Sequence, residues 1–248
     1  MNRGLRTWLI GLAAIAGLAA PAAAQEAAAP PPATAPAALT AESFARLPFV
    51  EQAKLSPDGN SVAGLYGIAG QQVIGIASLF DKTSAPFNIG IPDGTEASWI
   101  RWVNNDNIVI GLYSLLPIGS GGENWVVSRM IGINLRTRKI SRLMWDKAGQ
   151  DAADLIWVAN DGSPTVLAAA QSSIYLGEDF WPAVYRVDVE KNRSLQVQKG
   201  KGGVYTWNAD GAGTVRSGVG YDDSSRKFRL YYRGEAGSGE SLRCRRSE

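Results

Sequence analysis

The stretch "KLSPDGNSVAGLYG", residues 54–67, decides how the rest of the sequence is read. Asp58-Gly59 carries tight-turn chemistry, because glycine takes positive φ freely and aspartate tolerates it. Beyond it, Val62, Gly64 and Tyr66 alternate with Ala63, Leu65 and Gly67, the two-residue period of a β-strand. One hairpin says little about function. A repeated hairpin names an architecture.

The signal repeats. Turn dipeptides stand at Asp58-Gly59, Asp106-Asn107, Asp161-Gly162 and Asp210-Gly211, at spacings of 48, 55 and 49 residues. Three or four positions before each Asp sits a bulky apolar residue: Leu55, Trp102, Trp157 and Trp207. A β-rich segment follows each turn, "SVAGLY", "NIVIGLY", "PTVLAAA" and "TVRSGVG", and most units hold a second hairpin-like pair further on. A unit of about 50 residues with four short strands is the size of a β-propeller blade. Such a sheet cannot bury both faces alone. Blades stacked radially cover one another, with tryptophans filling the wedge between neighbours. The competing reading, an ordinary β-sandwich or barrel, usually lacks so long a period.

The fold class expected is therefore all-β: a partial β-propeller of about four blades, each a four-stranded antiparallel sheet, over residues 41–235. The blades fall at about 52–90, 98–145, 153–198 and 203–233. Blade four offers three strands, "GVYTW", "TVRSGVG" and "KFRLYYR", and no fourth. The basic tail at 236–248 ends in "SLRCRRSE", with three arginines and the single cysteine, Cys244. It reads either as a solvated tail or as sequence foreign to the repeat, left by a premature stop or frameshift.

The N-terminus, "MNRGLRTWLIGLAAIAGLAAPAAAQ", has a basic start, an apolar run from Trp8 to Ala20 and small residues before Gln25. That is the layout of a signal peptide over 1–24, cleaved near Ala24, which makes the product periplasmic or secreted. The alternative is a membrane anchor, but 13 apolar residues fall short of the roughly 20 that a spanning helix needs. Residues 25–40 form an Ala/Pro-rich linker, and "TAESFARL" at 40–47 suits a short helix capped by Thr40 and ended by Pro48.

The 248 residues carry a net charge of +2, and Arg3 and Arg6 alone supply it, so the remainder is balanced at 23 basic against 23 acidic residues. Balance of that kind gives no electrostatic reason to expect nucleic acid as a partner. One cysteine excludes an intrachain disulfide. The sequence has no histidine, which removes His-based acid–base chemistry, Ser-His-Asp and Cys-His arrangements and His-ligated metal sites.

The segment "FARLPFVEQAKLSPDGNSVAGL" resembles the entry into the N-terminal propeller of prolyl oligopeptidase-type serine peptidases, especially exported bacterial members of the dipeptidyl- and acylaminoacyl-peptidase kind. "VYRVDVEKNRSLQVQKG" and "VRSGVGYDDSSRKFRLYYRGE" are similar to later blades of that group, and the likeness covers about 42–235. It implies a propeller of seven or eight blades capping an α/β-hydrolase domain with a Ser-Asp-His triad, the propeller admitting short or unstructured peptides. The sequence departs from that plan. No G-x-S-x-G elbow exists: Ser61 follows Gly59 but has Ala63 on its other side.

The expectation is a non-catalytic, substrate-gating propeller portion, truncated before the catalytic domain. The alternative is a self-contained four-bladed periplasmic propeller that binds proteins or peptides, in which 47–52 supply the outer strand of blade four. Expected partners are peptides or the missing hydrolase domain, with no nucleic acid and no membrane beyond the export signal. No cofactor is expected, and no catalytic, cofactor-binding or metal residue is assigned. Asp222-Asp223 and Glu178-Asp179 are paired carboxylates beside turn residues and read as solvated loop tips. The Gly-rich "PIGSGGENW" at 117–125 lacks the Lys-Ser/Thr of a phosphate cradle and reads as a long hairpin loop. Trp99, Trp125 and Trp181 are expected between blades.

Overall fold

At the first turn the Gly59 N–H donates to the Ser56 carbonyl at 2.9 Å, with Gly59 at φ 72°. The Asp58 carboxylate accepts the Ser56 hydroxyl at 2.6 Å and the Asn60 N–H at 3.0 Å, and these bonds, led by Ser56, hold it below the usual carboxylate range. The turn joins β1 (Val50–Leu55) to β2 (Ser61–Ile68). This is a computed structural model that describes residues 40–41, 43, 49–118, 122–147, 150–234 and 243–246, with Ile118 and 243–246 by backbone only. The signal peptide expected over 1–24 lies outside the described residues, as do the linker apart from Thr40 and the 40–47 helix apart from Thr40, Ala41 and Ser43.

The described residues form four four-stranded sheets, each an antiparallel meander in chain order. Blade one is β1, β2, β3 (Gln71–Ser78) and β4 (Phe87–Gly90). Blade two is β5 (Thr95–Trp102), β6 (Asn107–Ile118), β7 (Glu123–Asn134) and β8 (Lys139–Leu143). Blade three is β9 (Asp154–Val158), β10 (Thr165–Ala170), β11 (Ala183–Asp188) and β12 (Arg193–Gln198). Blade four is β13 (Val204–Ala209), β14 (Val215–Asp222), β15 (Lys227–Tyr232) and β16 (Arg243–Arg246). First strands lie side by side, β1 with β5 and β9 with β13, so they line the axis. The chain is a partial β-propeller.

Blade four corrects the sequence reading. A fourth strand is present: β16 pairs with β15 from Tyr232↔Arg243 to Arg229↔Arg246. The outer edge of β15 is a row of backbone donors and acceptors, and pairing with it requires no apolar alternation. Charged residues on an outermost strand also discourage edge-to-edge aggregation. The clasp by 47–52 does not occur, because β1 begins at Val50 as the inner strand of blade one.

Three apolar clusters hold the blades together. Ala63, Leu65 and Ile74 of blade one meet Ile100, Trp102 and Ile108 of blade two. Met130 and Leu143 of blade two meet Val166, Ala168 and Tyr185 of blade three. Leu167 and Val184 of blade three meet Val204, Trp207 and Tyr231 of blade four. None of these clusters joins blade four to blade one. Hydrogen bonds add a stitch at the first and third junctions: Trp102 Nε1 donates to the Lys54 carbonyl at 2.9 Å and Trp207 Nε1 to the Pro182 carbonyl at 2.7 Å.

The wedge positions are not all equivalent. Trp102 and Trp207 face the preceding blade, whereas Trp157 donates to the Gly211 carbonyl at 3.2 Å and faces the following one. Trp157 pairs with Leu167, a blade-four-facing residue, while its neighbour Val158 takes the position toward blade two. One residue of offset reverses the face of a strand. Leu55, on the first of the described blades, is 62% exposed.

The four turns also differ in which residue closes them. Asp58, Asp161 and Asp210 accept backbone N–H groups two residues on. In the second turn Asn104 does this for Asp106 and Asn107, so the closing residue is Asn104. The turns are tied across blades, Asp58 N–H to the Asn105 side chain at 3.1 Å and Asn104 Nδ2 to the Gly162 carbonyl at 2.9 Å.

Candidate functional site

Antiparallel meanders place the β1–β2, β5–β6, β9–β10 and β13–β14 turns on one rim. The β6–β7 and β10–β11 turns and the connections between blades lie on the other. The turn rim holds a depression of about 540 Å³ near Trp102, Asn104 and Val158, with no ionisable residue in its lining. The opposite rim holds a larger cleft of about 790 Å³ at blade three. Its walls are the β10–β11 connection (171–182), which contains a 3₁₀ turn at Glu178–Phe180, and the β12–β13 connection (199–203), with Lys147 entering from the end of blade two.

The cleft has an aromatic floor. The Tyr185 ring is buried, its hydroxyl 3.2 Å from the Ser172 hydroxyl. Trp181 is half-buried and packs edge-on against Phe180 and Tyr205, with ring centroids 5.1 and 5.0 Å apart. Lys147 Nζ lies 5.0 Å over the Tyr185 ring and 2.6 Å from the Asp146 carboxylate. The Asp146 hydrogen bond raises the Lys147 pKa, against the opposing effect of burial, so the amine stays charged. Lys201 Nζ stands 4.7 Å over the Tyr231 ring, and Lys199 lies beside it on the wall. The exposed residues Glu178 and Asp179 line the same cleft, and the Asp179 charge also favours the charged form of Lys147. Gly200 permits this closure, since a Cβ there would sit 2.3 Å from the Trp181 carbonyl oxygen.

A second electrostatic feature lies on the same rim, at the start of the inner strand of blade three. Burial pushes the Asp151 carboxyl up to about 6, with the Asp154 charge adding to the shift, and burial raises Asp154 as well. The Asp151 backbone is held by Gln171 through both main chain and side chain, at 2.8 and 3.0 Å.

The sequence-selected residues distribute unevenly. Glu178 and Asp179 are exposed, yet they edge the cleft and are not an isolated loop tip. Asp222 closes a turn through Ser224 and Ser225 and pairs with Arg229, with Ser224 the largest cause of its strongly lowered pKa; Asp223 beside it is exposed in the same turn. Of residues 117–125, those described belong to the β6–β7 hairpin, whose register runs to Ile118↔Glu123. Among the three tryptophans expected between blades, Trp99 packs on the cluster joining blades two and three. Trp125 instead pairs with Leu116 on the projecting hairpin, and Trp181 lines the cleft. Ser61 opens β2 and its N–H donates to the Ser56 hydroxyl at 2.9 Å, a structural role in the turn. The lysines had no signal in the sequence, because they come from separate segments joined only by folding.

Comparison with solved structures fixes the fold. A prolyl endopeptidase, described for inter-domain dynamics in catalysis and specificity, superposes with TM-score 0.52 at 9% identity over 78% of this chain and 29% of its own. That is a propeller likeness. TolB from Acinetobacter baumannii aligns at TM-score 0.45 and 13% identity over 78% of this chain and 43% of its own. An uncharacterized protein from Listeria monocytogenes aligns at TM-score 0.43 and 13% identity over 80% and 52%. The chain thus spans about a third to a half of the length of these structures. No family model matches the sequence. No curated protein matches it. No helix among the described residues is long and apolar enough to cross a membrane.

Proposed function

We propose that this chain is the non-catalytic, substrate-gating propeller portion of an exported prolyl oligopeptidase-type serine peptidase, with peptides and an α/β-hydrolase domain as its partners. The observation that carries the reading is the blade-three cleft. The lysines and carboxylates that line it suit the two termini of a short peptide, and Trp181 and Tyr185 offer a floor for its side chains. The absence of histidine and of a nucleophile elbow supports a role in admitting and orienting peptides rather than cleaving them. The basic-then-apolar N-terminus supports export.

Calorimetric titration with a short flexible peptide tests this. Saturable binding is expected with both termini free, weakened about tenfold, or 1.4 kcal/mol, by blocking the C-terminus or by Lys199→Ala. A folded protein displaying the same segment should not bind. Equal binding of the folded protein would favour the scaffold reading, and absence of peptide binding would overturn both.

A further inference from the structure

The β6–β7 hairpin outgrows the rest of its blade. β5 pairs with β6 only as far as Thr95↔Ser114, and β8 pairs with β7 only from Met130↔Leu143. Register between β6 and β7 continues without a shift to Ile118↔Glu123. Past Ser114 the two strands form a two-stranded ribbon, about 13 Å long at roughly 3.3 Å per residue, on the rim that carries the blade-three cleft. Leu115 is 60% exposed there and Val126 51%.

Bonds at the base of the ribbon fix the direction of its backbone groups. In an antiparallel pair, successive residues turn their N–H and C=O alternately toward the partner strand and away from it. Just past β7 the Leu135 N–H donates to the Asp106 carbonyl at 2.8 Å, so the odd residues of β7 face β6. The even ones face outward: the Ser128 N–H donates to the Gln150 carbonyl at 3.2 Å, and the Met130 carbonyl accepts Trp145 Nε1 at 2.8 Å. Asn124 and Val126 continue this outward row, and among the described residues no strand or loop pairs with it there. On the opposite edge the same alternation turns Pro117 outward, and proline has no N–H. That edge is blunted in the way exposed strands usually are, whereas the β7 edge is open.

We infer that the β7 edge at Asn124 and Val126 pairs with an extended peptide, which joins the ribbon as a third strand. The inference rests on the peptide reading of the cleft and deepens it, because the segment at the base of this edge is the one that carries Lys147 into the cleft. Gln150 already takes the next pairing position, at Ser128, so the occupant of the edge is an extended backbone in line with it. The Ser128 hydroxyl also donates to the Gln150 carbonyl and accepts the Ala152 N–H, which fixes that segment against the ribbon. Backbone pairing reads no sequence. Leu115 and Val126 lie on the face that continues the Val109 and Met130 positions toward blade three, and they favour an apolar or β-branched side chain opposite them. The ligand class is an unstructured segment with apolar residues at alternate positions. A folded protein, its backbone groups already paired, does not supply one.

Calorimetric titration tests this with a short peptide of alternating valine and serine, both termini free, and with two N-methylated forms of it, one methylated at the valines and the other at the serines. Only one edge of an extended peptide meets the ribbon. One methylated form is expected to bind about tenfold more weakly and the other like the parent. Val126→Pro removes an outward donor and leaves the bonds to β6 in place, and it weakens the parent peptide about tenfold with an unchanged far-ultraviolet spectrum. Methylated forms that bind alike overturn the inference, and the cleft reading then stands or falls on Lys199→Ala. Binding that distinguishes the two forms but ignores Lys199→Ala and blocked termini keeps the edge and overturns the cleft. A native protein of twice the chain mass that Val126→Pro reduces to single chains assigns the edge to a second copy and overturns the peptide.

Discussion

Trp207 shows how much one residue carries in this fold. Its indole is almost fully buried between blades three and four, hydrogen-bonded to Pro182, and lies over Gly218, where a Cβ would stand 2.6 Å from the ring. Trp207→Ala removes both the packing and the stitch, and a loss of about 3–5 kcal/mol is expected in denaturant unfolding. Asp151 acts in the opposite sense. Folded, it keeps its proton up to about pH 6; unfolded, it releases it near pH 4. Between those values the folded state binds more protons at this site, so the contribution of Asp151 to stability is greatest below pH 4 and falls as pH rises toward 6. Asp151→Asn should therefore raise stability at pH 7 by on the order of 1–2 kcal/mol and change it little at pH 4. Unfolding curves of both proteins at the two pH values check this.

Among elements, what could be read from the sequence was what depends on local chemistry. Asp58-Gly59 and Val62–Tyr66 announce turn and strand by φ preference and period alone. Trp157 shows the limit: its presence in the repeat was legible, but its face depends on a register shift beside its partner Leu167. β16 was illegible for a different reason. "RCRR" has no apolar alternation, and it pairs because the β15 edge accepts any backbone. The cleft escaped because Lys147, Trp181 and Lys199 come from separate connections that only the meander brings to one rim. Deleting residues 235–248 uncovers the β15 edge, and faster growth of light scattering at 37 °C is expected than for the full chain. An unchanged rate would mean that β16 does not protect that edge.

At the scale of the molecule, three junctions join four blades into an arc that matches part of a prolyl endopeptidase's length. Each blade depends on its neighbours for burial, so stability is expected to be a sum of blade and junction terms. The sequence carries no histidine and no G-x-S-x-G elbow, and the proposed reading assigns the blade-three cleft to peptides. The most direct measurement is fluorescence anisotropy of a short labelled peptide incubated with the chain, followed by mass analysis of the same sample. The account predicts saturable binding with the peptide recovered intact, unaffected by a serine-reactive phosphonate. Cleavage that the phosphonate blocks, or no binding at all, would contradict it.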